Sequence, residues 1–286
     1  MKKRMGRPKS YRGAAVLGCA GLGLFAAGLL SAQQRTAAPA APPNAASVAA
    51  APDTPASANA QAPFDLTGYW VSIVTQDWRV RMVVPGRGEY IGIPISLKGK
   101  QYADAWDPVA AEAAGRQCEA YGAAALMEIP ERLHISWQDA NTLKVETDSG
   151  MQTRLLHFKA TPAVQPTSAE AALAPSLQGD STAQWLMHTP AAVQDEKAPR
   201  YGSLEVTTSH LLPGLLRKNG VPYGGQSRMT EYWEVNTDVT SGMQLLSITA
   251  ELNDPEYLHA PYVHNPIFMK EADGSKWDPT PCSLQW

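Results

Sequence analysis

Cysteine is scarce: the 286 residues carry three, at positions 19, 118 and 282, and no two stand in a Cys-x-x-Cys spacing. A thiol redox centre and a cysteine-based zinc site are thereby left without support. Charge is sparse too, at 18% of residues, and unevenly spread. Lys2, Lys3, Arg4, Arg7, Lys9 and Arg12 fall within the first 32 residues, where no Asp or Glu occurs, so the rest of the chain holds 18 cations against 27 acids. An acidic body without a Lys/Arg cluster lacks the electrostatic footprint of a nucleic-acid binder, and no such partner is expected. His-x-His and His-Glu-x-x-His patterns are missing, as are a Gly-x-Ser-x-Gly elbow and a phosphate-binding loop. Their absence removes the familiar zinc-protease, α/β-hydrolase and nucleotide-binding chemistries. Six histidines remain as general bases, at 134, 157, 188, 210, 259 and 264. His259 and His264 stand near Asp254 and Glu256, a set that could take a divalent ion. Without a ligand-spacing motif the set reads as a solvated loop, and neither metal nor cofactor is expected.

The N-terminus does carry a recognisable pattern. The six cations are followed by twenty uncharged residues, 13–32, rich in Ala, Leu and Gly and closing on Leu30-Ser31-Ala32. A charged n-region, an apolar h-region and a small-residue cleavage site make residues 1–32 a secretory signal. The same run is long enough to span a bilayer, so a retained, cytoplasm-positive anchor is the alternative. Lipidation at Cys19 is a third reading, with a short apolar run ahead of it. Residues 33–63 hold thirteen alanines and six prolines, with Val48 the one large apolar side chain. That composition cannot offset its ordering entropy and reads as a disordered linker. The expected location is periplasmic, either free or tethered to the inner membrane through residues 13–32. Export also makes Cys118 and Cys282 an expected disulfide, with two separate buried thiols as the alternative.

From residue 64 onward, period-two alternation recurs between turn residues, the pattern of antiparallel sheet. Leu133, Ile135 and Trp137 share one face of a run over 132–138. Leu143, Val145 and Thr147 follow after Asp139-Ala140-Asn141, and a third strand over 151–159 follows Asp148-Ser149-Gly150. Further runs at 66–74, 78–84, 203–211, 227–235, 243–252 and 266–271 bring the total to about 8–10 strands. So many strands must close into a barrel or pack as a sandwich to manage their edges. One or two short helices are expected over 96–115, the second capped by Asp107, begun by Pro108 and ended by Gly115. Residues 160–183 return to Ala, Pro, Ser and Thr and read as a surface loop within a single domain spanning 64–286.

Asp65-Leu66-Thr67-Gly68-Tyr69-Trp70 is similar to the Gly-x-Trp opening of lipocalin-like barrels. Trp106-Asp107-Pro108, the run 132–138, Arg217 through Tyr223, Thr230-Glu231-Tyr232, Asp254-Pro255 and the closing Pro281-Cys282 extend the likeness over nearly all of 64–286. In these pieces the body resembles an uncharacterised family of exported bacterial proteins with a lipocalin-like, calycin-type β-barrel. The resemblance implies an all-β, antiparallel barrel. It brings no activity and no catalytic residues.

Candidate site residues come from the pattern itself. Glu231 shares a strand face with Met229, Trp233 and Val235, and a carboxylate among large hydrophobes needs a cation or a raised pKa. Arg79 and Arg81, on the face opposite Trp78, or Arg154 beside Leu156 and Phe158, could supply that cation or hold a ligand carboxylate, although exposed or snorkelling arginines are the plainer alternative. Trp70, Trp78 and Trp233 would line a pocket or fill a core. The run from Arg217 to Gly225 could cover a barrel mouth, with Tyr223 as lid and Arg217 or Lys218 as anion contact, or be a plain hairpin connection. These residues suit an exported carrier of a small hydrophobic or amphipathic molecule. The alternatives are an envelope lyase, isomerase or hydrolase using Glu231 as acid or base with Tyr223 as partner, and a structural module without a ligand.

Overall fold

The computed structural model describes residues 56–159, 174–188 and 201–285. The expected signal or anchor segment 1–32, the expected linker up to residue 55 and residues 160–173 of the expected loop lie outside these. Among the described residues the chain is mostly strand. The meander expected from sequence is present as β2 (Arg132–Asp139), β3 (Thr142–Thr147) and β4 (Thr153–Phe158). Ahead of it lies β1 (Gly68–Ile73), and after it β5 (Asp180–His188) and β6 (Tyr201–Ser209). A small hairpin, β7 (Gly214–Arg217) and β8 (Val221–Tyr223), precedes β9 (Arg228–Thr237) and β10 (Gln244–Asn253). Two short strands, β11 (Tyr262–His264) and β12 (Ile267–Lys270), complete the set.

Nine strands close on themselves in the order β1-β2-β3-β4-β5-β6-β9-β10-β12, with β12 pairing back to β1. Closure removes the exposed edges that an open sheet would leave. Strand direction cannot alternate all the way round a ring of odd number, so at least one neighbouring pair must be parallel. That pair is β4–β5, in register Leu156 with Ser181 and Phe158 with Ala183. The fully antiparallel expectation therefore gives way at one seam. The reason is that residues 180–188, partly read as loop, form a ninth barrel strand.

Inward positions follow the pleat. Trp70, Leu133, Ile135, Leu143, Val145, Leu156, Leu204, Val206, Trp233, Leu246, Ile248 and Phe268 are all fully buried and pack as one cluster. Each belongs to one of two alternating sets along its strand, which is why the run patterns could be read from sequence. The indole of Trp70 donates to the carbonyl of Leu66 at 2.9 Å, fixing the entry of β1.

Among the described residues, five short α-helices and one 3₁₀ turn accompany the barrel. Helix α1 (Ala58–Gln61) falls within the stretch read as linker, yet Asn59 donates to the carbonyl of Ala140, and Trp185 donates to that of Ala58. The ordered body thus starts several residues before Phe64. The strand expected at 78–84 is instead helix α2 (Trp78–Arg81). Asp77 enters it in the left-handed region at φ 52°, and Pro85 and the positive-φ Gly88 follow, so the alternating run has no extended neighbour to join. Helices α3 (Leu97–Ala105) and α4 (Pro108–Ala113) occupy the expected helical segment. Asp107 accepts from the backbone N–H groups of Val109 and Ala110, Pro108 is the first helical residue, and Gly115 follows the end at φ 70°. The 3₁₀ turn (Gln117–Tyr121) leads to α5 (Ala123–Leu126). Cys118 in that turn is disulfide-bonded to Cys282, with Cα atoms 5.2 Å apart. A second buried cluster, including Ile95, Ala103, Leu211, Tyr223, Leu252 and Leu258, joins α3, α5 and the β7–β8 hairpin at the side of the barrel.

Candidate functional site

Inside the barrel, Glu231 meets Arg154. Two parallel contacts join them, Nη1 to Oε1 at 3.1 Å and Nη2 to Oε2 at 2.6 Å, and both side chains are about 1% exposed. Nη2 also donates to Thr208 Oγ1 at 3.3 Å, and Thr208 shares a 2.8 Å hydrogen bond with Ser181. The four residues stand on β4, β5, β6 and β9, which are consecutive in the ring, and the small Ser181 and Thr208 let the guanidinium reach across. The sequence pattern placed a carboxylate among hydrophobes; the structure gives it the arginine of β4. Arg79 and Arg81 lie elsewhere. Both carboxylate oxygens are taken, so Glu231 is a structural charge held by a bidentate partner. Trp70 and Trp233 are fully buried against the same cluster, as core rather than as pocket walls.

Helix α2 separates the residues expected to act together. Trp78 is 65% exposed and Arg79 pairs on the surface with Glu89, whereas Arg81 is buried. Arg81 Nε donates to the carbonyl of Glu128 at 2.8 Å and stands 3.7 Å from Glu128 Oε2. Its two terminal nitrogens, Nη1 and Nη2, are buried without a hydrogen-bond partner. Arg217 at the end of β7 is buried too; Nη1 donates to the carbonyl of Ile91 at 2.7 Å, while Nη2 has no partner. Between the two arginines lies a chamber of about 30 Å³, walled by Val80, Glu128, Ile129 and Leu216.

Electrostatics divide two carboxylates that both feel the charge of Arg81. Glu128 lies 3.1 Å from Nδ1 of His264; burial raises its carboxyl, but the imidazole, Arg81 and Arg217 together carry it below the ordinary range. Glu131 goes the other way. It has no hydrogen bond to either oxygen, and burial, reinforced by Asp148, pushes it well above 4.5 against the pull of Arg81 and Arg154. Tyr262, stacked on His264 at 5.1 Å, is raised chiefly by burial.

The β7–β8 hairpin is an anchor and not a lid. Tyr223 is fully buried, and a Cβ on Gly122 would stand 2.0 Å from its hydroxyl oxygen, one on Gly214 2.5 Å. At the hairpin turn Gly220 adopts φ 90° directly against Trp106, where a Cβ would fall 2.3 Å from that of the indole. Asn219 donates to the carbonyls of Gly86 and Glu89, tying the turn to the segment after α2. Lys218 donates to the hydroxyl of Tyr121 and to the carbonyl of Gln285.

These contacts build a cleft of about 550 Å³ between α3, α4, the hairpin turn and the C-terminal segment. Val83, Trp106, Pro108, Val109 and Leu284 give it an apolar lining, and Arg87, Lys218 and Asn219 are polar points on its wall. Trp106 Nε1 and Asn219 Oδ1 are buried there without partners. Pro85 and Lys218 border both cleft and chamber, so the two adjoin. Such a volume is in the range of small-molecule sites.

The loop cluster does not assemble. His264 is on β11 facing Glu128, Asp254 accepts from the backbone N–H groups of Gly224, Glu256 and Tyr257, and Glu256 pairs with Lys98. Of the expected site residues, then, Arg81 and Arg217 are brought together with Lys218 nearby. Trp106, Glu128 and Glu131 were not singled out, although two acids within the apolar run from Ala123 to Glu131 were a usable signal. No family model, curated protein or solved structure matches the chain.

Proposed function

We propose that the protein is an exported, lipocalin-like barrel of the bacterial family it resembles, and that it binds a small amphipathic molecule. The ligand lies in the cleft beside the barrel, not in the barrel's interior. One observation carries this reading: an apolar cleft of about 550 Å³ adjoins a small chamber between two buried arginines whose terminal nitrogens have no hydrogen-bond partner, save the one of Arg217 that donates to Ile91. Orphaned buried donors are costly, and a site that keeps them beside an apolar recess is suited to a molecule with one polar end. The Arg154–Glu231 pair argues against acid–base chemistry at Glu231, because its oxygens are already engaged. Export is supported by the cationic and apolar opening of residues 1–32 and by the Cys118–Cys282 bond, which suits an oxidising compartment.

The test uses the full chain and N-phenyl-1-naphthylamine, a neutral probe whose fluorescence rises in apolar sites. Saturable binding is expected, weakened at least tenfold by Val109→Arg at the exposed rim of the cleft. Non-saturable fluorescence, or a Val109→Arg variant that binds as well as the parent, would remove the cleft as the site.

A further inference from the structure

Two guanidinium groups, Arg81 and Arg217, line one small chamber whose wall carries a single carboxylate, Glu128, and a third cation, Lys218. Cations thus outnumber acids on its wall, in a place where unbalanced charge is expensive. Three nitrogens, Arg81 Nη1, Arg81 Nη2 and Arg217 Nη2, lack a hydrogen-bond acceptor. The chamber's volume of about 30 Å³ accommodates roughly two waters or one small planar group, since a water needs on the order of 10–15 Å³.

We infer that the chamber between Arg81 and Arg217 holds the carboxylate of an amphipathic acid whose apolar part fills the adjoining cleft. The inference rests on the cleft reading above and names the headgroup it would take. The excess of cations on the wall favours an anion, and a tetrahedral phosphate needs more room than a planar carboxylate. The planar group also offers two oxygens to the three unpaired N–H-bearing nitrogens, the geometry in which arginine binds carboxylates best. Trp106 and Val109 then lie along the path of the apolar part, outside the chamber.

Displacement of N-phenyl-1-naphthylamine at pH 7.5 by decanoate, decanol and decyl phosphate tests the headgroup. Decanoate is expected to compete at least tenfold more tightly than decanol and more tightly than decyl phosphate. Arg81→Met should shrink the decanoate advantage to less than threefold while leaving decanol unchanged, and Arg217→Met should do the same; thermal unfolding of each variant checks that it folds. Equal competition by decanol and decanoate overturns the anion site and leaves the cleft standing, whereas a preference for decyl phosphate overturns the carboxylate assignment. Should the fluorescent probe not bind at all, the cleft reading fails separately, and the carboxyl resonance of [1-13C]decanoate with the unmodified protein decides the chamber. A bound signal that stays ionised at least one pH unit below free decanoate supports it, and an unperturbed signal refutes it.

Discussion

Two buried carboxylates within one fold illustrate how neighbours decide what a side chain does. Glu231 was legible as a candidate because its strand alternates, but the sequence could not say that Arg154, three strands away round the ring, would claim both oxygens. Removing one partner strands the other in apolar surroundings. Arg154→Met is therefore expected to cost about 3–5 kcal/mol in urea unfolding, and pairing it with Glu231→Leu to restore most of that. A double variant as unstable as the single one would show that the pair contributes more than mutual neutralisation. Glu131 has no such partner. Burial and Asp148 raise its carboxyl in the folded state, so the stability it contributes is complete below its unfolded value of 4.5 and declines as pH rises toward the folded value. Glu131→Gln, which cannot ionise, should flatten the loss of stability between pH 5 and pH 8. Parallel curves for variant and parent would place the cause of any decline elsewhere.

At the scale of elements, alternation was a reliable guide where both faces of a strand see consistent surroundings. The runs of β2, β3, β9 and β10 were readable from Leu133, Val145, Trp233 and Ile248 because every second residue enters the barrel. The same rule misled at 78–84. There Trp-Arg-Val-Arg alternates just as well, but α2 turns Val80 and Arg81 inward and leaves Trp78 in solvent. Period two over four residues does not exclude one helical turn. The chamber was hidden for that reason: Arg81 and Arg217 were each named, yet a strand at 78–84 would not have brought them to one place. The hairpin was hidden differently, since Tyr223 in a glycine-rich stretch looks like a mobile lid until Gly122 and Gly214 are seen against it. That packing makes a specific expectation. Gly122→Ala would drive a methyl into the Tyr223 hydroxyl, which has no hydrogen-bond partner to lose. The substitution should destabilise by roughly 1–3 kcal/mol, as overpacking does, and Tyr223→Phe should relieve much of it. Strict additivity in a double-mutant cycle would mean that the two do not touch.

The described body combines a closed ring of strands with a C-terminal strap. Closure by nine strands makes the sheet self-contained and requires its one parallel seam, so the barrel does not depend on the C-terminal segment for its edges. The cleft does depend on it. Gly150 donates to the carbonyl of Thr280, Thr280 donates back to that of Asp148, Ser283 donates to Tyr121 Oη, and Leu284 forms part of the cleft wall. Cys282 fastens this strap to Cys118 on the 3₁₀ turn, closing a loop of 164 residues in sequence separation. Loop-closure entropy for such a span is worth up to about 5 kcal/mol, and removal of native disulfides typically costs about 2–5 kcal/mol. The Cys118→Ala/Cys282→Ala variant should therefore unfold at lower urea while its far-UV circular dichroism stays that of the parent, because the barrel's ladder is untouched. Its affinity for N-phenyl-1-naphthylamine should fall as well, since freeing the strap loosens the wall that Leu284 supplies and lets water to the hairpin turn against Trp106. Loss of stability with unchanged affinity would separate the two effects and leave the strap as a staple for the fold alone. Loss of both would make the disulfide part of the binding site, although neither sulfur lines it.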